Sequence, residues 1–118
     1  MADGAPRPPT PPRTIWGCPG TFEEVHTEGW LYTLWLNRAD RIAVLEVPVQ
    51  WHVVYSVWFW LTDAQWRLFH DDRPAFDAFA DVCAYDHGAT KFCDQLLQDE
   101  GPAKHRPPPG TPRPLTSL

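Results

Sequence analysis

The stretch VQWHVVYSVWFWL (residues 49–61) is the most hydrophobic part of this 118-residue chain. Its odd-numbered positions are all apolar, whereas its even-numbered positions begin with Gln50 and His52 and end with Trp58 and Trp60. Successive side chains of a β-strand point to opposite faces, so this alternation predicts one long strand. The odd-numbered face is expected to form the core, and the even-numbered face is polar at its start and aromatic at its end.

A membrane-spanning helix is a poor interpretation of the same region. Extended back to residue 42, the run is 20 residues long, but Glu46, Pro48, Gln50 and His52 interrupt it. A spanning helix needs about 20 predominantly apolar residues, and charged side chains are unfavourable at its centre. The sequence therefore predicts no membrane segment.

Two further strands are predicted upstream, over residues 29–37 and 41–47, joined in a hairpin by a polar turn. Residues 21–28 form a weaker candidate strand, with Gly29 marking the turn that follows it. Pro48 marks a bend or an edge after these strands, because proline cannot donate to a ladder.

Helical periodicity begins after Leu61. Thr62 and Gln65 fit a capping box and predict a helix from residue 63 to about residue 70, although a hairpin between residues 58–61 and 65–69 is an alternative. Asp72 and Pro74 open a second helix, whose inward residues are Phe76, Phe79, Ala80 and Cys83. A third helix is predicted over residues 89–98.

Strands followed by helices are the order of an α+β domain. The predicted fold is an antiparallel sheet of three to four strands in the N-terminal half, followed by two or three short helices packed on one face. Of the 14 prolines, 11 lie in residues 6–12 or 102–114, and such segments bury too little apolar surface to offset their ordering entropy. Residues 1–13 and 101–118 are therefore predicted to be disordered tails, and residues 14–100 a single domain.

The predicted domain is strongly acidic. Residues 14–100 carry five basic side chains against fourteen acidic ones, a formal net charge of −9. A nucleic-acid site needs a basic surface, so the folded domain is not expected to bind nucleic acid. The charge instead favours a basic protein partner.

Cysteine usage points to a reducing compartment. The chain has no apolar signal-peptide segment at its start, and the odd number of cysteines (Cys18, Cys83 and Cys93) predicts reduced thiols and a cytoplasmic location. These cysteines and His87 are candidate zinc ligands, but the close Cys-x2–4-Cys pairs of zinc sites are missing. Cys83 fits better as a small core residue, and no metal or other cofactor is predicted.

The pattern Glu24-x-His26-x-Glu28 places two carboxylates around an imidazole on one face of an extended chain. Such a set is able to hold a metal or to tune a general base. Charged residues are also typical of the solvated side of an edge strand, where they prevent sheets from pairing. No nucleophile motif accompanies the pattern, so the edge strand is favoured and the sequence leans against an enzyme.

Two pairs of residues are candidates for binding a partner. Trp58 and Trp60, beside Gln50 and His52, would form a recognition patch if their face were exposed. Burial of that face within the chain is the alternative, because tryptophans are rarely left bare.

The other pair is Asp77 and Asp81, four residues apart on the second predicted helix. Like charges at this spacing are slightly destabilising, so a basic partner would account for them. The leading hypothesis is a small acidic protein-interaction module, such as an inhibitor, immunity-type or adaptor protein, that binds a basic protein.

Two alternatives remain open. One is a small-molecule or metal-binding protein, with or without enzyme activity, whose site lies on the sheet near His26, His52, Trp58 and Trp60. The other is a homodimer that buries Trp58 and Trp60 across a two-fold interface.

Overall fold

The computed structural model describes residues 11–50, 54–85, 92–99 and 111–117. Within these ranges the elements follow in the order β1 (Glu23–Glu28), β2 (Tyr32–Asn37), β3 (Ile42–Gln50), β4 (Val54–Trp60), α1 (Asp63–Asp71), α2 (Arg73–Tyr85) and β5 (Leu96–Asp99). The strands form one antiparallel sheet whose order is the order of the chain. The α+β class is confirmed: the described residues contain two α-helices, and they contain five strands where three to four were predicted. No helix in these ranges is long and apolar enough to cross a bilayer.

The hydrophobic stretch at residues 49–61 is not a single strand, and that prediction is wrong. β3 continues to Gln50, β4 begins at Val54, and these two residues are antiparallel partners, so the chain reverses direction between them. The reversal is hidden in the sequence because partners such as Val49 and Tyr55 are both odd-numbered. The odd-numbered residues of both strands therefore share one face, and the alternation continues through the reversal.

The two helices cover one face of the sheet. The core between the helices and the sheet is built from alternate residues of the three middle strands, from Leu61 just after β4, and from the inward residues of both helices: Tyr32, Leu34, Leu36, Ala43, Leu45, Val47, Val49, Val57, Phe59, Leu61, Trp66, Phe69, Phe76, Ala80 and Cys83. The apolar odd-numbered face predicted for β4 lies here. Burying each large apolar side chain contributes about 1.5–3 kcal/mol, so this layer is the main source of stability.

The start of α1 is fixed by its capping box, as the sequence predicts. Gln65 N donates to Thr62 Oγ1 at 3.2 Å, and Thr62 N donates to Gln65 Oε1 at 2.9 Å. Residues 65–69 are helical, so the alternative hairpin is wrong. Asp72 begins the second helix in a similar way, because its Oδ1 accepts from Ala75 N at 3.2 Å.

The third predicted helix is wrong in the part that the structure describes. Cys93–Gln95 form a single 3₁₀ turn, and Leu96–Asp99 form β5, which pairs with β4. Leu96 and Leu97 are both buried, the first under the helices and the second on the opposite face. Consecutive residues on opposite faces are the pattern of a strand, not of a helix. Residues 89–91 lie outside the described part of the chain.

The opposite face of the sheet is covered by residues 13–22, which we call the N-terminal cover. A second core lies between the cover and the sheet, and it includes side chains of both: Ile15, Phe22, Trp35, Ile42, Val44, Trp58, Trp60 and Leu97. Arg13 and Phe22 exchange backbone hydrogen bonds of 3.0 and 2.7 Å, and Asn37 Nδ2 donates to Pro19 O at 2.8 Å. Gly20 has a positive φ of 70°, and a Cβ there would lie 2.8 Å from Asn37 Nδ2, so the cover passes very close to β2.

Residues 111–117 also pack on the domain. The Leu115 side chain is 1% exposed in the core under the helices, and its N–H donates to Arg41 O at 2.6 Å. Asp63 Oδ1 accepts from Thr116 N, Ser117 N and Ser117 Oγ at 2.9, 2.8 and 2.7 Å. This packing differs from the tail expected from proline content, because the segment is held by the buried Leu115 and by hydrogen bonds to Arg41 and Asp63. Residues 1–10 and 101–110 lie outside the described residues, so the tail prediction is not tested there.

The contact at Asp63 predicts an acid-dependent release of Thr116 and Ser117 at the end of this segment. Its hydrogen bonds from Ser117 and Thr116 favour the ionised carboxylate and hold the pKa of Asp63 below its usual range. A group with a lowered pKa contributes full stability above its unfolded pKa, about 3.9, and loses that stability as the pH falls through the folded value. We expect the amide signals of Thr116 and Ser117 to stay constant above about pH 5 and to move towards free-chain values in more acidic solution.

Asp63→Ala should give the free-chain signals already at neutral pH, whereas the exposed Asp81→Ala serves as the matched control and should leave them in place. NMR signals that stay unchanged in acid, or in Asp63→Ala, would contradict this role of the carboxylate.

Candidate functional site

Trp58 and Trp60 lie under the N-terminal cover. Their exposed fractions are 3% and 5%, Trp60 Nε1 donates to Asp94 O at 3.2 Å, and the ring of Trp58 lies 6.3 Å from that of Trp35, centroid to centroid. The two rings are thus covered within the chain. A partner or a second copy would reach either ring only after the cover residue that packs on it moved away.

The other predicted partner-binding residues lie elsewhere. Asp77 and Asp81 are one turn apart on α2, which packs on the face opposite to Trp58 and Trp60. His52 and the side chain of Gln50 lie outside the described residues. The structure therefore does not bring the tryptophan pair and the aspartate pair into one site.

Glu24, His26 and Glu28 do not share one strand face either. The register of β1 against β2 shifts by one residue between Glu24 and His26, so Val25 forms a β-bulge. Glu24 pairs with Trp35 and lies on the side of the N-terminal cover, whereas His26 and Glu28 lie on the helical side. The alternation assumed from the sequence is broken by this single extra residue.

His26 and Glu28 instead join Arg73 in a polar cluster between β1 and the helices. His26 Nε2 lies 3.0 Å from Glu28 Oε1, and Arg73 NH1 lies 3.8 Å from Glu28 Oε1 and 3.5 Å from His26 Nε2. The Arg73 guanidinium also lies 3.8 Å from the centroid of the Phe69 ring. These three side chains are 31–41% exposed, so each pair contributes at most about 1 kcal/mol, and the cluster acts mainly to hold β1 against the helices.

Tyr32 connects this cluster to Asp77. Its hydroxyl donates to Asp77 Oδ1 at 2.7 Å, and its ring packs edge-on against Phe76, with 5.3 Å between centroids. Burial of the phenol, together with the neighbouring Asp77 carboxylate, raises the pKa of Tyr32 above its usual range. The hydroxyl therefore stays protonated as a donor, and Asp77 positions α2 on the sheet.

The most exposed apolar surface of the described residues is the end of the β1–β2 hairpin, formed by Gly29, Trp30 and Leu31, which we call the hairpin end. The exposed fractions are 81% for Trp30 and 56% for Leu31. Leu31 N donates to Glu28 O at 2.8 Å, and Gly29 has a φ of 50°, which glycine adopts without strain. This turn directs Trp30 away from the sheet.

Sequence reasoning missed Trp30 because it placed this residue inside the strand beginning at Gly29. The available signal was Gly29 itself, which marked a turn in the sequence. Once the turn spans residues 29–31, the tryptophan lies in a loop and loses the strand neighbours that would have covered it.

The described cysteines lie on opposite faces of the sheet. Cys83 is buried under the helices, and Cys18 belongs to the N-terminal cover and packs against the second core on the opposite face. Burial raises the pKa of Cys18 to about 11 and that of Cys83 to about 12, so both thiols stay protonated near neutral pH. Because the sheet separates them, these two cysteines cannot bind one zinc ion. His87 and the Cys93 side chain lie outside the described residues, among which no set of three metal-ligating side chains occurs.

Comparison of the chain with protein-family models, with curated proteins and with solved structures found no match. The structure shows a small α+β protein with two covered sheet faces and an exposed aromatic residue at a hairpin end.

Proposed function

We propose that this chain is a small acidic protein-interaction module that binds a basic protein partner through the hairpin end. The observation that carries the proposal is the 81% exposure of Trp30 next to the exposed Leu31. Tryptophan is enriched among the residues that dominate binding energy in interfaces. An indole held outward by a hydrogen-bonded turn also loses little conformational entropy on binding.

Charge around the hairpin end supports a basic partner. Glu28 immediately precedes the turn, and Asp77 is bonded to Tyr32 immediately after it. Asp81 lies one turn further along the same face of α2 and is exposed. Arg73 offsets only part of this negative charge. Carboxylates around an apolar anchor increase the association rate of a positively charged partner and orient it.

Inhibitors, immunity-type proteins and adaptors act by binding another protein. A small domain with an exposed apolar residue is suited to such a role. The alternative of a small-molecule or metal-binding protein or enzyme has less support. It relied on His26, His52, Trp58 and Trp60 sharing a site, whereas His26 and Trp58 lie on opposite faces of the sheet.

Selection from a random-peptide display library against the immobilised full chain tests the proposal. We expect selected peptides to combine lysine or arginine with an apolar residue, and to bind more weakly at high salt because screening reduces charge attraction. Trp30→Ala should weaken their binding by at least about 10-fold, as the loss of an interface anchor does.

Trp16→Ala is the matched control, because Trp16 is also an exposed indole, at 62%, and lies outside the hairpin end. It should leave binding unchanged. Selected peptides without a basic bias, or peptides that bind the Trp30→Ala variant as tightly as the wild type, would refute the proposal.

A further inference from the structure

Trp35 and Trp58 together hold the guanidinium of Arg13. The Arg13 Cζ atom lies 4.6 Å from the centroid of the Trp58 ring and 5.4 Å from that of Trp35. The ring centroids are 6.3 Å apart and the planes are inclined at 39°. A cation within about 6 Å of an indole centroid is attracted by the ring electrons, so both rings act on the same guanidinium. We call these two rings the cage.

The cage is fixed by groups that do not involve Arg13. Trp35 Nε1 donates to Glu46 Oε1 at 3.1 Å, and Ser56 Oγ donates to Glu46 Oε2 at 2.8 Å. These residues stand on β2, β3 and β4, the middle of the sheet. The Glu46 carboxylate therefore holds the Trp35 ring in place and adds negative charge to the same face. A site held by strands in this way is preorganised for a cation.

Among the described residues, Arg13 is held by two backbone hydrogen bonds and by the two rings of the cage. It is an exposed residue outside any strand, and its backbone is attached through the two hydrogen bonds to Phe22. The remainder of the N-terminal cover is anchored independently by the buried side chains of Ile15 and Phe22. The Arg13 side chain is thus able to leave the cage without exposing the whole second core.

We propose that the cage is a binding site for an arginine side chain that a partner protein presents on an extended, proline-rich segment, and that Arg13 is its internal competitor. The chain's own Pro11-Pro12-Arg13 sequence shows the fitting chemistry, since prolines keep the approach extended and the planar guanidinium stacks on aromatic rings better than an ammonium does. The cage is separate from the hairpin end. The inference therefore goes beyond the proposed function and does not depend on it.

A second copy of this chain is a poorer occupant. Each copy already has an Arg13 tethered next to its own cage, and a tethered ligand has a high effective concentration. Exchange between copies would reproduce the same contacts without adding any. A separate protein whose arginine has no aromatic cage of its own gains contacts that it otherwise lacks.

The test uses the full chain with Arg13→Ala and an acetylated peptide of residues 8–14, PPTPPRT. Binding is followed by the indole N–H signals of Trp35 and Trp58 in NMR titrations. We expect the peptide to bind Arg13→Ala at least about 10-fold more tightly than the wild type, whose cage is already occupied by a tethered side chain. A peptide with citrulline, the neutral isostere of arginine, should bind the variant at least about 10-fold more weakly than the arginine peptide.

Failure of the peptide to bind Arg13→Ala, or equal binding of the citrulline peptide, would overturn the proposal. A wild-type dimer that Arg13→Ala abolishes would overturn it in favour of a second copy. Should Arg13→Ala not fold, Arg13→Gln retains most of the aliphatic stem and replaces it in the titration. The wild type gives an independent check, because ring currents of two indoles must shift the Arg13 side-chain protons upfield, and unshifted protons would refute the cage.

Discussion

Replacing Trp60 with alanine is expected to lower the free energy of unfolding by about 3–5 kcal/mol. The indole is 5% exposed between the sheet and the N-terminal cover, and its Nε1 donates to Asp94 O at 3.2 Å. Alanine removes the buried ring, leaves a cavity under the cover and takes away one hydrogen bond to that carbonyl. Urea unfolding followed by far-UV circular dichroism measures the change.

The exposed Trp16 provides the matched control. Trp16→Ala should change stability by no more than about 0.5 kcal/mol, as surface substitutions usually do. If Trp60→Ala is too unstable to purify, Trp60→Phe keeps most of the ring volume but loses the hydrogen bond, and a loss of about 1–3 kcal/mol is expected. A Trp60→Ala protein as stable as the wild type would contradict burial within the chain and would restore this ring as a candidate for recognition.

Leu115→Ala is expected to destabilise the domain by about 2–5 kcal/mol, although the residue lies in a proline-rich stretch far from the sheet in sequence. Its side chain is 1% exposed and belongs to the core under the helices. Removal of the isobutyl group leaves a cavity and weakens the attachment of residues 111–117. The same urea experiment measures this loss.

Arg113→Ala, two residues earlier and exposed, controls for changes in the segment itself and should be neutral within about 0.5 kcal/mol. Two-dimensional NMR spectra of Leu115→Ala should also show free-chain signals for Thr116 and Ser117. Equal stability of Leu115→Ala and Arg113→Ala would mean that the segment contributes nothing to the folded domain.

Features that depend on neighbours in sequence were predictable. The capping box at Thr62 and Gln65 and the helical spacing of Phe76, Ala80 and Cys83 are local patterns, and the structure confirms them. The apolar odd-numbered face of β4 was also found, because alternation is a property of consecutive residues. Each of these signals is complete within a few residues, so no knowledge of distant contacts is required.

The candidate site was only partly predictable. Asp77 was identified from its charge, but its bond to Tyr32 joins residues 45 positions apart in sequence. The exposure of Trp30 depends on the turn at Gly29, and the cage at Trp35 and Trp58 depends on strands β2 and β4 lying on either side of β3. None of these placements produces a pattern within a short stretch of sequence, because each arises from the pairing of separate segments.

The stretch at residues 49–61 shows which features the sequence determines and which depend on the tertiary structure. By itself the sequence determined that odd-numbered and even-numbered residues belong to different faces, since the period of a strand requires this. Only the tertiary structure decided that the chain reverses between Gln50 and Val54 and that the N-terminal cover buries Trp58 and Trp60. The physical reason is that the hydrophobic effect is non-directional, so burial of an apolar face is favourable whichever segment excludes water from it. An exposed strand face therefore does not specify which segment will cover it.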